Sequence, residues 1–200
     1  MISRTEAAGD ERRAMLAPAA LHRRANALGG TIDGAGLVIP FFDRAFRVSA
    51  DGVEALEGPP PSPTLGNIFL DYVRRRPPAV RNDPAWITFR ELPGAGPLVI
   101  AFANNTHKTI ARTFGGEPGR LREACESLNG RFDAAQPGFD LVAEFDALPR
   151  VPVSLRFNTA DDPFPAEAAL LFRSHVSDDL GLDALFAVAT YLTGRLIQYQ

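Results

Sequence analysis

Residues 139–173 read "FDLVAEFDALPRVPVSLRFNTADDPFPAEAALLFR". Phe139, Leu141, Ala143 and Phe145 alternate with Asp140, Glu144 and Asp146. Val151, Val153, Leu155 and Phe157 then alternate with Ser154 and Arg156, and Ala168, Leu170 and Phe172 make a third set. A two-residue period puts each apolar set on one face of a strand, and connections this short exclude parallel crossovers. The stretch predicts an antiparallel meander with one buried face. Downstream, Leu182, Leu185, Phe186, Ala189, Leu192 and Leu196 recur at helical spacing and predict a long amphipathic helix.

Upstream, strands and helices are interspersed. Residues 11–28 predict a helix capped by Asp10, weakened at Pro18 and ended by Gly29-Gly30. "GLVIPFFDRAFRVSADG" (36–52) predicts a hairpin turning at Asp43-Arg44, with Leu37, Ile39 and Phe41 on one arm and Phe46 and Val48 on the other. Pro40 marks that first arm as an edge or a bulge. After "GPPPSP", Ser62 and Pro63 start a helix whose core stripe is Leu65, Ile68, Phe69 and Tyr72. Arg74, Arg75 and Arg76 fall in its last turn, where positive charge suits the helix dipole, and Pro77-Pro78 stops it. "AWITFREL" (85–92) and "PLVIAFA" (97–103) read as strands joined by the turn "PGAG". "NNTHKTIARTFGG" reads as a short capped helix, and Pro118 opens another that carries Leu121, Ala124, Cys125 and Leu128 and stops at Gly130. The fold class is α+β: a mostly antiparallel sheet with a C-terminal meander, packed by several amphipathic helices. Residues 1–200 are expected to form a single domain, with the N-terminal helix (10–28) at its periphery.

Two hundred residues with 46% hydrophobic and 22% charged content bury a core without staples. A net charge of −3 offers no broad basic footprint, so no nucleic-acid partner is expected. Lys108 is the only lysine. The single cysteine, Cys125, excludes an internal disulfide and an all-cysteine metal site. The start, "MISRTEAAGDERRAM", lacks the apolar core of a signal peptide, and no run approaches eighteen apolar residues. The expectation is a cytoplasmic protein with no membrane partner.

The succession "WITFRELPGAG", "ARTFGGEP", "FDALPRVPVSLRF" and "DDPFPAEAALLF", closed by an amphipathic helix, resembles the bacterial and archaeal family known as domain of unknown function 3786. The resemblance runs from about the first hairpin to the C-terminus. It implies the fold and its boundaries, and company with anaerobic metabolism; it carries no catalytic residue set. Some members resemble fusions to cysteine-rich iron–sulfur segments, and a chain with Cys125 alone departs from them.

Five features bear on function. "NNTHKT" (104–109) is the small-molecule candidate: Asn105 or Thr106 caps a helix whose free N–H groups receive a phosphate or carboxylate, with His107 and Lys108 adding donors. The plain alternative is an N-cap with two solvated side chains. Arg90 is a further candidate ligand residue, or the cross-strand partner of an ion pair. In "NTADDPFPAE" (158–167), Asp161, Asp162 and Glu167 beside Phe164 form either a cation-gripping rim or a stiff turn with Phe164 folded back over the sheet edge. Cys125, on an apolar stripe, reads as an inert thiol. His22, His107 and His175 show no paired metal spacing, although His107 or His175 would be the choice as an axial ligand to a corrinoid or haem. No catalytic residue, metal site or defined cofactor emerges.

Three functions follow in order. The first is a non-catalytic accessory or ligand-binding domain of anaerobic metabolism, its pocket between the sheet and "NNTHKT", with the acidic loop at the rim and an anionic small molecule as ligand. The second is a protein-interaction module docking on a metalloenzyme or redox partner through Phe164 or Phe41 and Phe42. The third is an enzyme using the acidic-loop carboxylates.

Overall fold

The meander forms as its alternation requires, except that Phe139 lies outside the strand expected to hold it and is 38% exposed. Strands β7 (Leu141–Leu148), β8 (Val151–Asn158) and β9 (Glu167–Arg173) pair antiparallel, with Ala143 opposite Leu155 and Leu155 opposite Leu170. The computed structural model describes residues 4–75, 85–133 and 136–199. Within them the chain runs α1 (Arg4–Met15), α2 (Pro18–Leu28), β1 (Thr31–Asp33), β2 (Gly36–Phe41), β3 (Arg44–Ser49), β4 (Gly52–Ala55) and α3 (Pro63–Arg74). Then come β5 (Trp86–Thr88), α4 (Val99–Asn105), α5 (His107–Phe114), α6 (Pro118–Ser127) and β6 (Arg131–Phe132), and after the meander α7 (Val176–Asp179) and α8 (Leu182–Gln198). The first four strands form one antiparallel sheet in sequence order; the second sheet has the order β5-β9-β8-β7-β6. The class is α+β.

One apolar cluster lies between these layers. It joins Phe41 and Phe46 of the first sheet, Phe145, Leu155 and Phe172 of the second, and Phe69, Phe102 and Leu192 of the helices. Helix α8 threads it, packing on α3, α4, α5 and α6. Ser62 caps α3 by accepting a hydrogen bond from the Leu65 N–H at 3.2 Å, with Pro63 as first helical residue. Ser62→Ala is expected to cost about 1 kcal/mol, read as a lower urea midpoint with an unchanged slope. Arg74 and Arg75 both pair with Asp71, and Arg75 also donates to the Ser177 carbonyl at 2.7 Å. Asp71 in turn accepts from the Gly181 N–H at 2.6 Å, so this helix end anchors the start of α8. Arg76 and Pro77-Pro78 lie outside the described residues.

The structure corrects four expectations. The N-terminal helix is two helices: Pro18 opens α2 as its first residue, and Asp10 sits inside α1 rather than capping it. Pro tolerated at a first turn costs nothing there, whereas inside a helix it removes a hydrogen bond. Only Trp86–Thr88 of "AWITFREL" is strand. Glu91 reaches back to accept from the Thr88 N–H (2.7 Å) and hydroxyl (2.8 Å), and this turns the chain into a 3-10 turn over Phe89–Glu91. "PLVIAFA" is not a strand: it is the 3-10 turn Gly96–Leu98 followed by α4. A short apolar run has no decisive period, and here Phe102 is buried while Ile100 is 76% exposed, as opposite sides of a helix require. The first hairpin turns at Phe42-Asp43, one residue earlier than expected, with Phe42 at φ 53°. Pro40 lies in β2 beyond its last pairing with β1 at Val38, so its missing N–H faces no strand on that side and no bulge is needed.

Candidate functional site

The site starts from an incomplete sheet edge. β5 pairs with β9 only at Leu171, Phe172 and Arg173, because the chain leaves the sheet after Thr88. Along the rest of β9, helix α5 takes the place of a strand. His107, the first residue of α5, accepts a hydrogen bond at Nε2 from the Leu170 N–H at 2.9 Å. A ring nitrogen that accepts leaves the proton of the neutral imidazole on Nδ1. The ring also meets Phe102 edge-on, with centroids 5.3 Å apart.

Burial holds the His107 pKa below its ordinary value, and the Leu170 N–H needs the neutral ring. The unfolded chain therefore takes up a proton first as pH falls through about 6.5. Stability is expected to be full above that value and to decline below it, until pH passes the depressed folded value and the loss levels off. His107→Gln offers Leu170 an acceptor that does not titrate. Urea denaturation between about pH 5 and 8 should show a flatter profile for the variant. Parallel profiles would refute this role.

Between α5 and β9 lies a surface cavity of about 270 Å³. His107, Lys108 and Ala111 border it from the helix, Ala166 and β9 residues Glu167, Ala168 and Ala169 from the strand side, and Phe139, Arg156 and Asn158 from the sheet end beyond. Alanines on both walls leave the space. Arg156 holds its guanidinium over the Phe139 ring, 5.2 Å from its centroid, and its Nε is buried without a partner. Asn158 is tied at both ends of its amide: the nitrogen donates to the Gly138 carbonyl at 3.2 Å and the oxygen accepts from the Asp140 N–H at 3.0 Å. Asp140 accepts from the Thr159 hydroxyl (2.5 Å) and N–H (2.7 Å), which hold its carboxyl below the ordinary range.

A wider groove of about 760 Å³ adjoins it and shares Phe139, Asn158 and Glu167, with Asp140, Asp161 and Phe164 on its far side. Here "NTADDPFPAE" makes a tight turn: the Asp161 N–H donates to the Phe164 carbonyl at 2.9 Å and the Phe164 N–H returns the bond at 2.5 Å. Phe164 does not fold over the sheet edge; it is 72% exposed, because the exchanged bonds direct the turn outward. Asp161, Asp162 and Glu167 are exposed as well.

Of the candidate ligand residues, His107, Lys108 and Glu167 border the first cavity, and Asp161, Phe164 and again Glu167 the second. Asn105 and Thr106 border neither. Asn105 ends α4, and Thr106 is fully buried, its hydroxyl donating back to the Phe102 carbonyl at 2.7 Å instead of capping α5. The α5 start is thus preceded directly by another helix end, not by an open cap. Arg90 sits exposed in the 3-10 turn rather than on a strand, so it has no cross-strand position and forms no ion pair among the described residues. Cys125 is fully buried and its thiol is pushed up to about 12, which leaves no thiolate for chemistry. Among the described residues no three His, Cys, Asp or Glu side chains gather as a metal site, and no helix is long and apolar enough to cross a membrane.

Fold and site together define an α+β fold with a cavity of mixed lining where a helix completes a sheet edge. The chain belongs to the family of the domain of unknown function DUF3786, whose model matches residues 20–195. No curated protein and no solved structure matches it.

Proposed function

We propose that this domain binds a small anionic molecule, without transforming it, in the cavity between α5 and β9, as an accessory domain of anaerobic metabolism. The observation that carries the reading is Arg156: a guanidinium fixed over Phe139, with no ion-pair partner among the described residues, at the wall of a cavity that Lys108 and the His107 ring also border. Preorganised donors around a space of about 270 Å³ favour a compact anion. Drug-sized ligands occupy about 300–1,000 Å³, so a corrinoid or haem is too large for this cavity. The metabolic setting is supported by the company of the family alone.

Native mass spectrometry of protein purified anaerobically from its host tests the reading. A mass excess that disappears on denaturation, and that Arg156→Gln loses, is the expected result. Equal native and denatured masses, with no small anion raising the melting temperature, would overturn it.

A second reading, a protein-docking module, is favoured by Phe164 alone, which stands in water beside the acidic turn. Phe41 and Phe42 do not support it, since both are buried in the core. Phe164→Ser should abolish capture of a partner if this reading holds. The acidic-loop enzyme has least support, because water-exposed carboxylates lack the burial by which a fold equips a carboxyl for acid–base work.

A further inference from the structure

We infer that the ligand of this cavity is an acidic amino acid: two carboxylates held by Arg156 and Lys108, and an ammonium held by Glu167. The inference rests on the anion-binding reading above and names its substrate class. In the β8–β9 register Arg156 faces Ala169 and Asn158 faces Glu167, so Arg156 and Glu167 are diagonal neighbours on one face, about 7–8 Å apart. Opposite charges so placed ordinarily close on each other. Here they do not: the guanidinium lies over Phe139, and Asn158 between them is tied to Gly138 and Asp140. Neither Arg156 nor Glu167 has an ion-pair partner among the described residues, and both border the same cavity.

The charges on the wall are therefore two cations, Arg156 and Lys108, and one anion, Glu167, with His107 neutral, as the acceptor of the Leu170 N–H. A dicarboxylate satisfies the cations but sets one of its ends near Glu167. Adding an ammonium group turns that repulsion into a pairing, and a ligand of net charge −1 then matches a wall of net charge +1. Apolar Ala111, Ala166 and Ala168 leave room for a short carbon chain and offer it no further polar partner.

Isothermal titration of the full chain with L-aspartate against succinate, and L-glutamate against glutarate, isolates the ammonium, since each pair differs by that group. The amino dicarboxylate of at least one pair is expected to bind about tenfold more tightly than its partner, a difference of about 1.4 kcal/mol. Glu167→Gln, at an exposed position that leaves the fold intact by circular dichroism, should erase that preference by improving dicarboxylate binding. Lys108→Ala should weaken both members of the pair. Dicarboxylates binding as well as or better than their amino counterparts would overturn the inference and leave the anion reading standing. No binding by any of the four, with another small anion bound, does the same; no binding by any anion sinks both.

Discussion

Phe102→Ala is expected to destabilise the protein by about 3–5 kcal/mol, the largest loss from any single apolar truncation proposed for this chain. Phe102 is 1% exposed and stacks on Phe89 with centroids 4.0 Å apart and planes 4° from parallel. It also meets Phe172 of β9 at 6.2 Å and Phe186 of α8 at 5.6 Å, so it joins the sheet, the 3-10 turn and the C-terminal helix. An alanine there leaves a cavity that none of these fixed elements is free to fill. The control is Ile100→Ala, two residues away and 76% exposed, with an expected change within about 0.5 kcal/mol. In a strand, residues 100 and 102 share a face, and their truncations would cost similar amounts. In a helix they point apart. Urea denaturation of both variants therefore tests the helical assignment of α4 as well as the packing. Since the Phe102 ring also supports His107, Phe102→Ala should weaken the proposed anion binding even where it remains folded.

The contrast between those two positions also shows where sequence patterns suffice. The meander, the first hairpin, α3 and α8 were legible because each has many residues on one period and a clear stop. Ser62 and Pro63 fix the start of α3 by local chemistry alone. Residues 97–103 offered only a short apolar run, and what makes them a helix is tertiary: a socket for Phe102 and open water for Ile100. The Thr88–Glu91 spacing was a readable signal of the chain leaving the sheet, since a Thr followed three residues later by Glu marks a helical start. Part of the candidate site was equally local, with His107 and Lys108 adjacent and Glu167 in the conspicuous loop. Arg156 and Phe139 were not legible as site residues. Each occupies an ordinary place in a strand pattern, and only the register of β8 on β9 and the position of α5 bring them to the same cavity. Nothing in one sequence distinguishes such an arginine from a solvated one.

Arg150→Ala is expected to cost about 3–5 kcal/mol, by a different mechanism. Asp179 on α7 is 1% exposed at its side chain, and its Oδ1 accepts from Arg150 Nε at 2.6 Å, while its Oδ2 is buried without a partner. The carboxylate thus depends on Arg150 for its compensating charge. Nearby, Tyr72 donates its hydroxyl to the Leu28 carbonyl at 2.8 Å, and burial, with the Asp179 charge, raises its pKa and keeps it neutral. Truncating Arg150 strands a charge in an apolar setting; truncating Asp179 leaves an arginine that is 19% exposed and can turn toward water. Asp179→Ala should therefore cost less than Arg150→Ala. Replacing both, as Arg150→Met with Asp179→Leu, should recover most of the loss, because the desolvation of the pair disappears with its attraction. A double-mutant cycle by urea denaturation reads this directly. Equal single losses that simply add would mean that water screens the pair, and the argument from burial would fail. The neighbouring Pro149 belongs to the same construction: Gly29, at φ 65°, ends α2 against it, and a Cβ at Gly29 would stand 2.4 Å from the Pro149 Cβ. The "LPRVP" turn thus locks α2, α7 and the meander together, a structural task at the end of β8 opposite the proposed binding cavity.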